Sequence, residues 1–284
     1  MTMNPITETG GSHYYTQTGA PRYGATLREA RKHNYFPSIT TVLKAWPAGY
    51  LNDWIKNELL KARHNNPPDG DAAAPVVDGE ELSDAQRDYF RTVVEISNAI
   101  RDEAADRGNE IHDGAEAMLC GQNWNKDDAS LNHLRAWFDD NLEEVYWTER
   151  SLVSLDLRLA GRADALIKTK DDERPLLIDF KGRGFDHGPR KGWKAKRYNK
   201  DIVQLAFYAS TMTDPPRIAN LYVHREGACP VEVAEYTDDQ REEAFKMCGH
   251  VTAIWYYDKK YSPEINHDEL VAHFSSVIKM ETVA

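Results

Sequence analysis

The stretch LAGRADALIKTKDDERPLLIDFK, residues 159–181, is the most informative in the chain. Its apolar arms, 158–168 and 175–181, read as two strands. The charged segment 170–174 reads as the turn that folds one back on the other. Asp179 and Lys181 stand two apart at the end of the run Leu176-Leu177-Ile178. The period of two in a strand puts both side chains on one face. Asp164 follows Gly161-Arg162-Ala163 on the preceding strand, where the turn brings it beside Asp179. Charged groups in such a place are costly unless they meet water, a partner or a metal. Two carboxylates held together repel each other, and a hard divalent cation relieves that. A neighbouring lysine can orient or help deprotonate a water and offset charge building on phosphorus. The set suits in-line hydrolysis of a phosphodiester. The plain alternative for Asp179 and Lys181 is a surface ion pair. The upstream Gly-x-x-Asp and the basic segment that follows argue against it.

That basic segment, 181–200, holds Lys181, Arg183, Arg190, Lys191, Lys194, Lys196, Arg197 and Lys200 against one acid, Asp186. It carries +7 in a chain whose net charge is −11, so the remainder carries −18. The overall acidity argues against a nucleic-acid partner, whereas a local basic island suggests a focused anion site. Phe185, Trp193 and Tyr198 interleave with the cations, a pattern that suits base stacking on a single strand and equally suits inward packing. Gln204 and Tyr208 lie one turn apart on the following helix, 201–212. Their shared face can touch DNA or hold the lysine.

Upstream, Glu149 on a strand over 146–155 offers a third carboxylate, or only a strand-edge charge. His112, in Gly108-Asn109-Glu110-Ile111-His112, offers an imidazole nitrogen as an additional metal ligand. Glu116 lies one turn further on, where a solvated helix face is the simpler reading. A helix over 131–145 follows. A long helix is predicted from the capping box Ser83-Asp84-Ala85-Gln86, with a break or bend near Gly108. Helices are also expected over 38–45, 50–64, 238–257 and 268–280, and strands over 217–225 and 230–236. Residues 1–35 read as irregular or short hairpin structure, and 65–80 as a loop. Helices, then three strands, a helix and a strand give an α/β class with a mixed sheet flanked by helices. The expected organisation is an N-terminal extension over 1–82 packed on a core over 83–284, together one compact unit.

Hydrophobic residues make up 41 % of the 284, enough for a sizeable core. No apolar run approaches a membrane span, and a soluble, cytoplasmic protein without a membrane partner is expected. The three cysteines, Cys120, Cys229 and Cys248, form no CxxC pair and support neither a disulfide framework nor an Fe–S cluster. No P-loop, dinucleotide fingerprint, HExxH or GxSxG occurs, so no nucleotide cofactor is expected.

The series Gly108…His112, Gly161-Arg162-Ala163-Asp164, Ile178-Asp179-Phe180-Lys181 and Gln204…Tyr208 resembles the RecB-type exonuclease branch of the PD-(D/E)xK nucleases, over roughly residues 105–225. Pro37-Ser38-Ile39-Thr40-Thr41-Val42-Leu43, with Leu51 and Trp54, is similar to the opening of the mitochondrial genome maintenance exonuclease and its phage relatives. The resemblance implies a restriction-endonuclease-like αβββαβ core and Mg²⁺, with Mn²⁺ substituting. It implies His112, Asp164, Asp179 and the Phe180 carbonyl as metal ligands, and Lys181 as catalytic beside Asp164 and Asp179; Glu149 joins the expected catalytic set from its place on the strand, not from the resemblance. Arg162, Arg183, Lys191, Trp193, Lys194, Lys196, Arg197, Gln204 and Tyr208 become the expected DNA contacts. The activity expected is exonucleolytic, on single-stranded DNA or DNA with free ends, in phage-type recombination, repair or replication. A recombinase or single-strand-binding protein would be the partner, in a bacterial host. A structure-specific or restriction-like endonuclease, an inactive DNA-binding accessory protein and a nuclease acting on RNA remain open.

Overall fold

A computed structural model describes residues 13–46, 49–76, 81–188, 192–266, 268 and 270. Its chain order begins with β1 (Tyr14–Tyr15), β2 (Pro21–Arg22), α1 (Leu27–His33), β3 (Phe36–Pro37) and α2 (Ile39–Val42). Next come α3 (Gly49–Asn65), α4 (Asp84–Leu119), α5 (Ala129–Asn141), β4 (Leu142–Ser154), β5 (Leu159–Thr169) and β6 (Asp172–Arg183). The chain then forms β7 (Phe185–Gly188), β8 (Gly192–Ala195), α6 (Asn199–Ser210), β9 (Arg217–His224), β10 (Glu232–Tyr236) and α7 (Asp238–Lys259).

Two units separate: 47–110, and a second built from 1–46 with 111–284. The stretch 13–46 therefore belongs to the unit that holds the sheet. Ser38 bridges to Ala160, and Tyr14, Ile39 and Val42 lie in the same buried cluster as Leu177 and Tyr208.

The second unit is organised by a mixed five-stranded sheet in the order β10-β9-β6-β5-β4. The pairs β4–β5, β5–β6 and β9–β10 are antiparallel, and β6–β9 is parallel. A parallel neighbour requires a crossover, supplied here by β7, β8 and α6. One face of the sheet buries Leu177 and Ile218 against α6 and α7, through Phe207, Tyr208, Cys248 and Trp255. The other buries Ile167, Leu176, Ile178 and Phe180 against Ile111 and Ala115 of α4 and Leu134 and Phe138 of α5. Strands buried on both faces read as continuous apolar runs, which explains Leu176-Leu177-Ile178.

In the unit 47–110, the expected capping box forms: Ser83 N donates to Gln86 Oε1 and Gln86 N to Ser83 Oγ. Helix α4 continues through Gly108 without the expected break. In the other unit α5 stops at Asn141, not 145, and β4 starts at Leu142, not 146. Leu142, Glu144 and Val145 pair with Thr169, Lys168 and Ile167, so ladder formation overrides helical spacing there. The turn after β5 is tighter than expected, Thr169 facing Asp172 directly. The basic segment is no simple loop: β7 and β8 form an antiparallel hairpin with His187 opposite Trp193. The expected helix over 268–280 lies outside the described residues except at 268 and 270, and so do Arg190 and Lys191.

Candidate metal centre

Pairing between β5 and β6 runs from Thr169↔Asp172 to Ala165↔Ile178 and stops there. The next positions in that register are Asp164 and Asp179. Asp164 spans the opening with its side chain, Oδ2 accepting the Phe180 N–H at 2.7 Å. Leu159 and Ala163 face one core cluster and Ala165 and Ile167 the other, so the alternation of β5 inverts at Asp164. On β4, Thr148 faces Ala165 and Arg150 faces Ala163, which puts Glu149 opposite Asp164. Glu149 has φ 49°, in the left-handed region that non-glycine residues rarely occupy. Such strain persists where the surroundings overdetermine it, often at functional sites.

His112 enters from the last turns of α4. Its Nε2 stands 3.0 Å from Asp164 Oδ1 and 3.5 Å from Glu149 Oε1. One ligand atom from each of His112, Glu149 and Asp164 lies within 4.8 Å of the others, a group that could hold a metal ion. The edge of the imidazole meets Phe180, centroids 6.0 Å apart. Arg162 Nε lies 2.5 Å from Glu149 Oε2. Burial opposes the charge on His112, but Asp164 outweighs it, with Glu149 and Asp179 adding, and raises the imidazole to about 10. Burial raises Glu149 to about 7 against the pull of His112. Asp164, though buried, is held below the usual carboxylate range by the charge and hydrogen bond of His112.

Asp179 is 1 % exposed. Its Oδ2 takes Lys181 Nζ at 2.6 Å and Asn220 Nδ2 at 2.8 Å. Burial pushes this carboxyl up to about 6 although Lys181 pulls the other way. Burial likewise opposes the charge on Lys181, and Asp179, Asp201 and Asp164 overcome it, raising the ammonium. Asn220, the register partner of Asp179 on β9, is itself held by Tyr236 Oη at 2.9 Å. Lys181 Nζ also donates to Gln204 Oε1 at 3.2 Å, and Gln204 Nε2 to Tyr208 Oη at 3.2 Å. Gln204 and Tyr208 thus stand behind the lysine.

Asp179 Oδ1 is buried and accepts no hydrogen bond among the described residues, while the two Glu149 oxygens meet only the ion-pair contacts of Arg162 and His112. A buried oxygen without a donor is expensive, and a cation would satisfy it. One imidazole with carboxylates is a donor set for Mg²⁺ or Mn²⁺, and the residues fit such an ion. His112, Glu149 and Asp164 could hold it together. Asp179 stands outside that converging trio with one oxygen left over. The Phe180 amide is engaged by Asp164, while its side chain is in the core. Glu116 is half-buried and raises Glu149 through its charge.

The basic island is less free than its sequence suggests. Arg183 pairs with Asp201 at 2.9 Å and lies over Tyr198, Arg197 pairs with Glu232 at 2.5 Å, and Lys196 with Asp186 at 3.2 Å. Trp193 stays 39 % exposed and packs against His187 and His224. Lys194 is exposed and makes no ion pair among the described residues. Asn220, Tyr236 and Asp201 are the site residues that sequence reasoning missed. An asparagine inside the apolar strand Ile218-Ala219-Asn220-Leu221 was the available signal.

No protein-family model matches the sequence, and no curated protein matches it. One similar solved structure, described as a "putative exonuclease" from Eubacterium rectale, gives a TM-score of 0.32 at 12 % identity, covering 77 % of this chain and 67 % of that chain. At that level neither fold nor activity transfers.

Proposed function

We propose that the chain is a divalent-metal-dependent deoxyribonuclease of the PD-(D/E)xK superfamily, RecB-type branch, acting as an exonuclease on DNA with free ends. The observation that carries this reading is the site at the β5–β6 opening. His112, Glu149 and Asp164 converge there beside a buried Asp179–Lys181 pair. A bound Mg²⁺ or Mn²⁺ would supply Lewis-acid polarisation of a phosphodiester and a more acidic water. His112, Glu149 and Asp164 would hold it, joined by Asp179 through its free oxygen. Lys181, kept cationic and pinned by Gln204, would neutralise charge developing on the phosphoryl oxygens. Arg162, at the mouth of the cluster, would hold the strand by a phosphate.

End-labelled single-stranded, duplex and circular DNA, digested with Mg²⁺ or with EDTA, test the reading. The expected outcome is metal-dependent shortening of linear strands only, abolished in Asp164→Ala and Lys181→Ala. Cutting of circles would assign an endonuclease, and binding without cleavage an accessory protein.

A further inference from the structure

Helix α6 is fastened to β6 at two points, and only one of them touches the Asp179–Lys181 pair. Asp179, Lys181 and Arg183 stand two apart on β6, so their side chains share one face of the strand. Asp201 and Gln204 stand one turn apart on α6, so they share one face of the helix. The two rows meet in order. Gln204 Oε1 accepts from Lys181 Nζ at 3.2 Å, and Asp201 Oδ1 accepts from Arg183 Nη2 at 2.9 Å. The other oxygen of Asp201 joins a second strand: Oδ2 accepts from Tyr222 Oη at 3.1 Å, and Tyr222 is the β9 register partner of Lys181. The same oxygen accepts the Tyr198 N–H at 3.3 Å, at the start of the helix.

Asp201 is 2 % exposed, and its place is an expensive one for an acid. A helix start needs no buried acid, since an exposed serine or asparagine caps it as well. Nor does a buried ion pair add much net stability, because desolvation offsets the attraction. Such a pair can fix the register of the elements that it joins. The register fixed here is the one that sets Gln204 against Lys181.

We propose that Asp201 is a positioning residue: by locking the first turn of α6 to β6 and β9, it holds Gln204 against Lys181 and so orders the ammonium. The use of that order, neutralising charge on a phosphoryl group, rests on the nuclease reading. The order itself does not.

Lys181 can therefore be followed in the metal-free protein. With nitrogen-15 in its lysines, the full chain is expected to show a separate NMR signal for the Lys181 ammonium, identified by its loss in Lys181→Ala. Held hydrogen bonds slow exchange with water and keep such a signal visible. Asp201→Asn keeps the size of the side chain and removes its charge. In that variant the signal is expected to broaden or disappear, as in Gln204→Ala. Turnover of bis(4-nitrophenyl) phosphate with Mn²⁺ should fall by about tenfold or more. Asp179 keeps Asn220, itself held by Tyr236, so Mn²⁺ affinity should not change. Should Asp201→Asn fail to fold, Tyr222→Phe decides by the same two readouts, since it deletes one hydroxyl and keeps the ring. An unchanged signal, or unchanged turnover where the wild type is active, overturns the proposal and leaves Asp201 a role in stability alone. A lost signal in a protein whose wild type hydrolyses nothing keeps Asp201 as the residue that orders Lys181 and removes the nuclease reading.

Discussion

The two oxygens of Asp179 are in different circumstances: Oδ2 holds Lys181 and Asn220, and Oδ1 holds nothing. Asn220 therefore selects which oxygen is left for an ion. Asn220→Ala removes a fully buried donor and is expected to cost about 1–3 kcal/mol in urea denaturation. It should also weaken Mn²⁺ binding by about 10–100-fold by calorimetry, as loss of an outer partner does. Unchanged Mn²⁺ affinity in a folded Asn220→Ala would remove Asp179 from the ion. Protons give a second test at this scale. Asp179, Glu149 and His112 are raised to about 6, 7 and 10, each above its ordinary value. A group raised in the folded state contributes stability fully below its unfolded pKa and loses it as pH climbs through the folded one. The metal-free protein should therefore lose stability as pH rises from about 4 toward 10 on account of these three groups. Ligation needs the same groups deprotonated, so metal binding should release protons and strengthen with pH. The Mn²⁺-induced rise in Tm is expected to be larger near pH 8 than near pH 5.5, and equal rises would refute the cluster as ligand set.

At the scale of elements, the packing of β5 against α6 depends on one missing side chain. A Cβ at Gly161 would stand 2.7 Å from the Tyr208 ring and 3.1 Å from Ile39. Gly161→Ala should push Tyr208 away, costing about 1–3 kcal/mol. The same shift would loosen the Tyr208–Gln204–Lys181 chain. Lower activity at unchanged Mn²⁺ affinity, measured together, would distinguish this from damage to the ion site. The arms around this contact were legible in the sequence because a period of two and a charged turn are local signals. Gln204 and Tyr208 were legible too, since a spacing of four puts them on one helical face. What could not be read were the pairings set by distant chain. The start of β4 at Leu142 is imposed by the Thr169 and Ile167 ladder, and the left-handed backbone of Glu149 has no local signal in the sequence. Asn220 becomes a site residue only through the parallel β6–β9 register. The acids that neutralise the basic island are likewise remote, Glu232 lying on β10.

For the molecule as a whole, a net charge of −11 and a basic island that is mostly paired among its described residues bear directly on how it would meet DNA. Each phosphate neutralised by a free cation releases counterions and adds about 0.9 to the slope of log K against log salt. An arginine already held by a buried acid has a structural job, and removing it does something different. Lys194, exposed and without an ion pair among the described residues, belongs to the first kind. Arg183 belongs to the second: it holds Asp201, which is 2 % exposed and also receives the Tyr222 hydroxyl. Lys194→Ala is expected to lower the salt slope for single-stranded DNA, where each phosphate contact counts about 0.7, by about that amount with Tm unchanged. Arg183→Ala should leave the buried Asp201 carboxylate without its cation, on the order of 1–3 kcal/mol less stable, with the salt slope little altered. Fluorescence anisotropy across a salt series, paired with thermal melts, separates the two. If instead Arg183→Ala flattens the slope while Tm holds, Arg183 leaves Asp201 to contact phosphate. The island would then be a DNA surface whose internal pairs exchange for the strand, as its sequence alone suggested.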